Sequence, residues 1–265
     1  DGQMASGAYD YYFSDSDPNP IAQGDYMSHG THVAGIIAAE KNGTGMHGIA
    51  YNAQILDLRI FNSAGTLKSY AKLRSSIDKA IDQGAKVINA SFGGNSVSDA
   101  TADKWLSAHN NDIITVHAAG NDGDDDPDYG AKLPTKSGYE DLADTQIAAV
   151  AVDSDNEIAS YSNKCGNSKN WCLAAPGSTI YSTVHTNDNN DSNGDGYDNK
   201  NGTSMAAPHV AGAVAVLRSK WPSKTASQIT TILYDTATDL GDSGTDAVYG
   251  RGLLNLGSAI SPSGL

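Results

Sequence analysis

Apolar residues recur along the chain with two different periods, and the two periods interleave. Gln54–Phe61 (QILDLRIF) alternates apolar and polar positions, the period of a half-buried strand. Tyr70, Leu73, Ile77, Ala80 and Ile81 then recur at helical spacing, and Gly84 follows as a residue that can end a helix in the left-handed conformation. Lys86–Ala90 predicts the next strand. Ala102, Trp105, Leu106 and His109 mark a second helix, and Ile113–Ala118 another strand. Gln146–Val152 is almost continuously apolar, as suits a strand covered on both faces. Thr225 and Gln228 form a capping-box pair opening a helix that runs to Asp235. Strands alternating with helices at short spacing predict right-handed crossovers and a parallel α/β sheet. No internal repeat or linker divides the chain, so a single domain over residues 1–265 is expected.

Charge narrows the picture. The 265 residues carry 17 Lys+Arg against 31 Asp+Glu, a formal charge of −14. With no basic cluster to meet phosphates, nucleic acid is excluded as a partner. The longest apolar run, Val210–Leu217, is far short of the ~18 residues that a membrane span needs. The first residues lack the basic and apolar regions of a signal peptide, so the chain reads as mature or trimmed. Cys165 and Cys172 have no further Cys or His nearby at metal-ligand spacing. Their closeness and the acidic composition predict a disulfide in an exported protein; two free thiols in the cytosol are the competing reading.

In a parallel α/β sheet, chemistry collects where the strands end. That rule selects the loop after Ala90, the loop after Ala118 and the turn before Ser204. His29 stands beside Gly30 at the start of a small-residue helix, Ser28–Gly35 (SHGTHVAG). Such a helix lets another backbone come close. Ser204 lies where a glycine turn enters a second small-residue helix, Asn201–Gly212 (NGTSMAAPHVAG). There it has backbone N–H donors around it and a positive helix end behind it, as a nucleophile beside an oxyanion requires. Asn121, just past a strand, has an amide able to donate to that oxyanion. Taken singly, the histidine reads as structural and the serine as a helix cap.

Together with Asn89–Gly94 (NASFGG) and Ala118–Asn121 (AAGN), these segments resemble the subtilisin-like serine proteases, the subtilases. The likeness runs from about Asp25 to Val216, in matching order and spacing. It implies a subtilisin-like three-layer sandwich with a mostly parallel central sheet and helices on both faces. It also implies an endopeptidase in which Ser204 attacks the scissile carbonyl, His29 carries the proton and Asn121 holds the oxyanion. Ser91, Phe92, Gly93 and Gly94 resemble the edge that pairs with an extended substrate and one wall of the first specificity pocket. Ala118, Ala119 and Gly120 resemble the opposite wall. His32 and His209 also fall within the motifs, with roles in packing and backbone support rather than in catalysis.

The family's catalytic aspartate ends an apolar strand about thirty residues before the histidine, and the 28 residues before His29 contain no such strand. Asp25 resembles a rim position and not that aspartate. The sequence is therefore expected to lack the segment carrying it, and a peptide-binding module on the same scaffold stays a competing reading. No cofactor is expected for catalysis. Asp191, Asn193 and Asp195, before Gly196, resemble the opening of a calcium loop and suggest a structural calcium ion. The twelfth-position glutamate of a complete loop is replaced by Gly202. A solvated polar loop is the alternative, and Asp122–Asp128 reads as an acidic rim. The pocket floor falls in Asp128–Asp144, where the likeness is poor, so the side-chain preference is open beyond a long-range pull on basic residues. Asp239–Ile260 and Asn170–Pro176 resemble the passenger domains of autotransporter subtilases, implying a secreted or cell-surface protein of a Gram-negative bacterium. Protein or peptide substrates and its own propeptide are the expected partners of a monomer.

Overall fold

The computed structural model describes residues 5–10, 28–62, 65–186, 191 and 194–262. In chain order the elements begin with β1 (Tyr9–Asp10), α1 (His29–Ala38), β2 (Leu58–Arg59) and α2 (Tyr70–Asp82). Then come β3 (Val87–Ala90), α3 (Asp99–Asn110), β4 (Ile114–Ala118), β5 (Gln146–Val152) and β6 (Cys172–Pro176). The last are β7 (Ile180–Thr183), β8 (Tyr197–Lys200), α4 (Thr203–Lys220), α5 (Ala226–Asp235) and α6 (Leu256–Ala259). These form two compact units, one of Asp1–Ala85 with Ile180–Lys200, the other of Lys86–Thr179 with Asn201–Leu265.

The first unit is built from short ladders. β1 pairs in parallel with β2, and Arg59 reaches back 3.2 Å to the buried carboxylate of Asp10. Among the described residues the alternating Gln54–Phe61 run forms a ladder at Leu58–Arg59, with Phe61 in an isolated bridge to Leu67. Its carbonyls at Ile55 and Asp57 accept from the N–H groups of Ala5 and Tyr9. β7 and β8 pair antiparallel, from Ile180 opposite Lys200 to Thr183 opposite Tyr197. α2 forms as its spacing predicts. Ser69 Oγ accepts the Lys72 N–H at its start, and Gly84, at φ +70°, ends it. There the Ala85 N–H reaches the Ala80 carbonyl and the Gly84 N–H that of Ile81, the paired bonds of a Schellman stop.

α1 buries Val33, Gly35, Ile36, Ile37 and Ala38. Gly35 is where the close approach occurs: a Cβ there would run into the hydroxyls of Ser182 and Thr183 on β7. Those hydroxyls donate to the α1 carbonyls of His32 (2.8 Å) and Thr31 (2.9 Å), so strand and helix are stitched through side chains.

The second unit is centred on a four-stranded parallel sheet in the order β3-β4-β5-β6. Every residue of β5 is buried, as its almost continuous apolar run predicts, Gln146 being the polar exception. α4 packs against all four strands, and its apolar face of Ala206, Val210, Ala213, Val214 and Leu217 is fully buried. Burial on this scale, about 25 cal/mol per Å² of apolar surface, is what holds the sheet together. α5 opens with the capping box that its sequence predicts, Thr225 and Gln228 exchanging both bonds. Cys165 and Cys172 are joined in a disulfide, packed with Trp171, Tyr249 and Val150. Among the described residues no helix is long and apolar enough to cross a membrane.

Candidate active site

Because β3 and β4 run parallel, the residues just past their carboxyl ends lie side by side. Ser91 follows β3, and Ala119, Gly120 and Asn121 follow β4. α4 brings Ser204 to the same place, one position inside its first turn. The serines are tied reciprocally: Ser204 Oγ donates to the Ser91 carbonyl (3.2 Å) and Ser91 Oγ to the Ser204 carbonyl (2.8 Å). Asn89 Nδ2 donates to Ser91 Oγ at 2.9 Å and fixes that hydroxyl in turn. Ser204 is half-buried while its neighbours Gly202, Thr203 and Met205 are buried, so its hydroxyl is the reachable group of that turn.

The turn itself needs glycine. Gly202 has φ +146° and ψ 158°, a conformation essentially closed to residues with a Cβ. Its N–H donates to the Gly177 carbonyl (2.9 Å) and to the Tyr161 hydroxyl (3.1 Å), anchoring the helix entry. The Thr203 N–H donates to Asn121 Oδ1 at 2.9 Å, and the Thr203 hydroxyl adds a second bond to the same oxygen at 3.1 Å. A backbone N–H can only donate, so the Asn121 amide must turn its oxygen toward Thr203 and its Nδ2 away. Asn121 is exposed, and its Nδ2 has no partner among the described residues. The Ser204 N–H likewise has no acceptor there, whereas the Met205 N–H already bonds to the Gly202 carbonyl. Two donors, the Ser204 N–H and the Asn121 Nδ2, are thus without an acceptor among the described residues.

The walls also meet. Gly120 sits at φ +110°, and a Cβ there would collide with the Asn163 amide and the Asp128 carboxylate. Asn163 Nδ2 donates to the Ala119 carbonyl (3.1 Å), and the Asn163 N–H to that of Gly120 (3.0 Å). Gly93 and Gly94 are exposed and Phe92 is half-buried. Asn163 lies outside the four motifs, and Asp128 opens the Asp128–Asp144 stretch in which the pocket floor is expected.

His29 belongs to the first unit, as the first residue of α1. Burial, with a smaller contribution from Lys200, pushes its pKa down to about 4, so the imidazole is neutral at pH 7 and able to accept a proton. His32 is buried and bonds through Nε2 to the carbonyls of Ile180 (2.9 Å) and Asp198 (3.2 Å), the supporting role its motif position suggested. His209 Nδ1 lies 2.8 Å from the Met205 carbonyl one turn earlier. Of the calcium candidates, Asn193 lies outside the described residues, as do Asp25 and the first residues of the chain. Asp191 accepts the N–H groups of Asp195 (3.2 Å) and Gly196 (2.9 Å), and Asp195 that of Tyr197 (3.0 Å). Both carboxylates thus close their own turn. Among the described residues no three His, Cys, Asp or Glu side chains gather as a metal site.

A parallel α/β sheet, a serine at a helix start beyond its strand ends and an unpaired pair of donors define a serine peptidase of the α/β type. Residues 3–252 match the model of the subtilase family, Peptidase S8. The chain belongs to the subtilase family. It is 40% identical over 235 residues to subtilisin DY of Bacillus licheniformis, covering 89% of this chain and 78% of that protein. An extracellular serine protease of Serratia marcescens is 30% identical over 98% of this chain, which spans only 30% of that protein. Among solved structures, a serine-to-alanine mutant of the protease domain of PatA matches with a TM-score of 0.74 at 25% identity. That match covers 92% of this chain and 81% of the other. The expected three-layer α/β sandwich with a mostly parallel central sheet is the fold of this chain.

Proposed function

We propose that the chain carries the catalytic centre of a secreted serine endopeptidase, with Ser204 as nucleophile, His29 as proton carrier and Asn121 as oxyanion donor. The observation that carries this reading is the pair of unpaired donors, Ser204 N–H and Asn121 Nδ2, beside the Ser204 hydroxyl. Ser204 Oγ attacks the scissile carbonyl carbon, and His29 takes the hydroxyl proton. The carbonyl oxygen becomes an oxyanion held by the two donors. The C–N bond then breaks, His29 returns the proton to the leaving amine, and water hydrolyses the acyl ester by the same steps.

Extended substrates lie along Ser91–Gly94 by main-chain pairing. In support, the exposed Gly93 has neither its N–H nor its carbonyl bonded within the described chain. The Serratia relative is extracellular by name, and the buried disulfide suits export from a Gram-negative cell, where the chain's own propeptide would be its first partner and the mature form a monomer. Calcium at Asp191, Asn193 and Asp195 completes the proposal as a structural ion. Calcium should then raise the thermal midpoint relative to chelator, and an unchanged midpoint removes it.

The test of the activity is labelling with a neutral fluorophosphonate, using protein expressed from its full-length gene. Attachment at Ser204 and cleavage of a casein-like substrate are expected. No labelling and no cleavage overturn the reading. Peptide affinity untouched by Ser204→Ala, with no turnover in any form, would instead identify a binding module.

A further inference from the structure

Asp128 occupies the gap between the two wall segments of the second unit. Its N–H donates to the Ala119 carbonyl at 2.7 Å, which fixes the residue against the Ala118–Gly120 side. Its carboxylate reaches the other side, where Oδ2 accepts the Gly94 N–H at 3.1 Å. Both facing residues are glycines for this reason. A Cβ on Gly93 would meet Oδ2, and one on Gly120 would lie 2.8 Å from Oδ1. Besides the Gly94 bond, the carboxylate has a 3.5 Å contact from Asn163 Nδ2, so two of its roughly four acceptor directions are used.

Among the described residues no cation is paired with it. Nearby, Lys164 is bonded to Asp125, and the Lys132 ammonium lies 4.7 Å from the centre of the Tyr129 ring. Asp122 and Asp124 add negative charge, and half-burial holds the Asp128 pKa above the usual carboxylate range, only partly offset by Gly94 and Lys132. A half-buried carboxylate with no ion-pair partner among the described residues is a ready acceptor for a cation brought by a ligand.

Its place decides which ligand group arrives. A carbonyl oxygen held by Ser204 N–H and Asn121 Nδ2 belongs to the substrate residue on the acyl side of the scissile bond. Asn121 follows Gly120 directly, and Ser91, bonded to Ser204, leads directly into Phe92–Gly94. That residue's side chain therefore enters between Gly93–Gly94 and Ala119–Gly120, where the Asp128 carboxylate lies. We infer that Asp128 is the specificity-determining residue of the proposed peptidase and that the bond cleaved is the one following arginine or lysine. This rests on the peptidase reading and adds to it the substrate class, by direct contact and not through a diffuse acidic rim.

The experiment compares fluorogenic peptides differing only in the residue before the bond (Arg, Lys, Leu, Phe or Glu), using the full-length protein and its Asp128→Asn variant. Asparagine keeps an oxygen for the Gly94 N–H and removes the charge. The wild type should favour Arg or Lys over Leu, and Asp128→Asn should lower the Arg-to-Leu ratio of kcat/KM by about 10- to 100-fold, the worth of a charge-assisted bond. Preference for Leu or Phe in a wild type that labels with fluorophosphonate overturns this inference and leaves the peptidase reading standing. So does an equal fall for all substrates, the mark of a brace between walls. If Asp128→Asn fails to fold, benzamidine reads the same position in the wild type. Competitive inhibition at millimolar concentration supports the inference and its absence overturns it. Failure of both labelling and cleavage overturns the two readings together.

Discussion

In the first unit α1 opens on His29 and is held by strand hydroxyls, Ser182 and Thr183 donating to its carbonyls from β7. In the second, α4 opens on Ser204 and is held by an amide, Asn121 accepting from the Thr203 N–H. Both helices are rich in small residues, yet the contacts differ in what they leave over. The α1 contacts use up carbonyls along the helix body and tie helix to strand. The α4 contacts consume the first N–H and the carbonyl half of one amide, leaving the next N–H and the amide Nδ2 unpaired. A rigid mount is common to both; only the second mount also exposes donors. The sheets differ in the same sense. β5 is buried along its whole length, while β1 and β2 pair over two residues each. Donors held on so firmly packed a scaffold need no reorganisation when charge develops.

The sharpest way to break this comparison is at Ser204. Ser204→Ala should lower kcat by about 10⁶-fold, a magnitude taken from the corresponding serine of subtilisin, a family relative, with folding unchanged by circular dichroism. Asn121→Asp comes next. It keeps the acceptor for Thr203 and removes the donor, so kcat should fall by at least about 10²-fold. An unimpaired Asn121→Asp enzyme would show that the amide serves only as a mount.

Stability separates the units further. Reducing the buried Cys165–Cys172 bridge should cost the second unit about 2–3 kcal/mol in denaturant melts, by loop-closure entropy. Gly35→Val should cost the first unit about 1–3 kcal/mol, because its side chain meets Ser182 and Thr183. Hydrogen exchange should place that loss in α1 and β7; a loss confined to the β3–β6 sheet would contradict the assignment.

The smallest effect expected is from acid. Burial lowers the pKa of His117 on β4 to about 4, below its unfolded value of 6.5. The unfolded state therefore binds the proton first, and stability present above pH 6.5 is lost as pH falls toward 4. Between pH 7 and 5 this contributes about 1–2 kcal/mol. His117→Gln should flatten the slope of thermal midpoint against pH over that window; an unchanged slope would assign it to other groups.

Much of the second unit is legible in its residue pattern. β5 coincides with the Gln146–Val152 run, and β3 and β4 fall within one residue of their apolar segments. Every residue of β4 and β5 is buried, so both read as nearly continuous apolar runs, with Thr115, His117 and Gln146 as buried polar exceptions. The first unit is less legible, because its strands are short and their length depends on partners. The Gln54–Phe61 alternation is not mirrored in burial, since Ile55 to Arg59 are all half-buried. β6, as long as β4, escaped periodicity because Cys172–Pro176 ends in proline, and its pairing with β5 makes it a strand.

Family membership is written in the chain itself. The four motifs contain Ser204, His29, Asn121 and the Ser91–Gly94 and Ala118–Gly120 segments, since each depends on local backbone needs: glycine at a tight turn, small residues on a close-packed helix. The long helices and buried strands are written there too, because their periods follow from which faces meet water. Packing in three dimensions was needed to settle which way the Asn121 amide points and that the Ser204 N–H stays unpaired. It also set Asp128 between walls supplied by residues 34 positions before it and 8 positions before it in the chain. Those facts rest on register between distant strands, and a hydrogen bond between distant residues leaves no periodic trace in either segment.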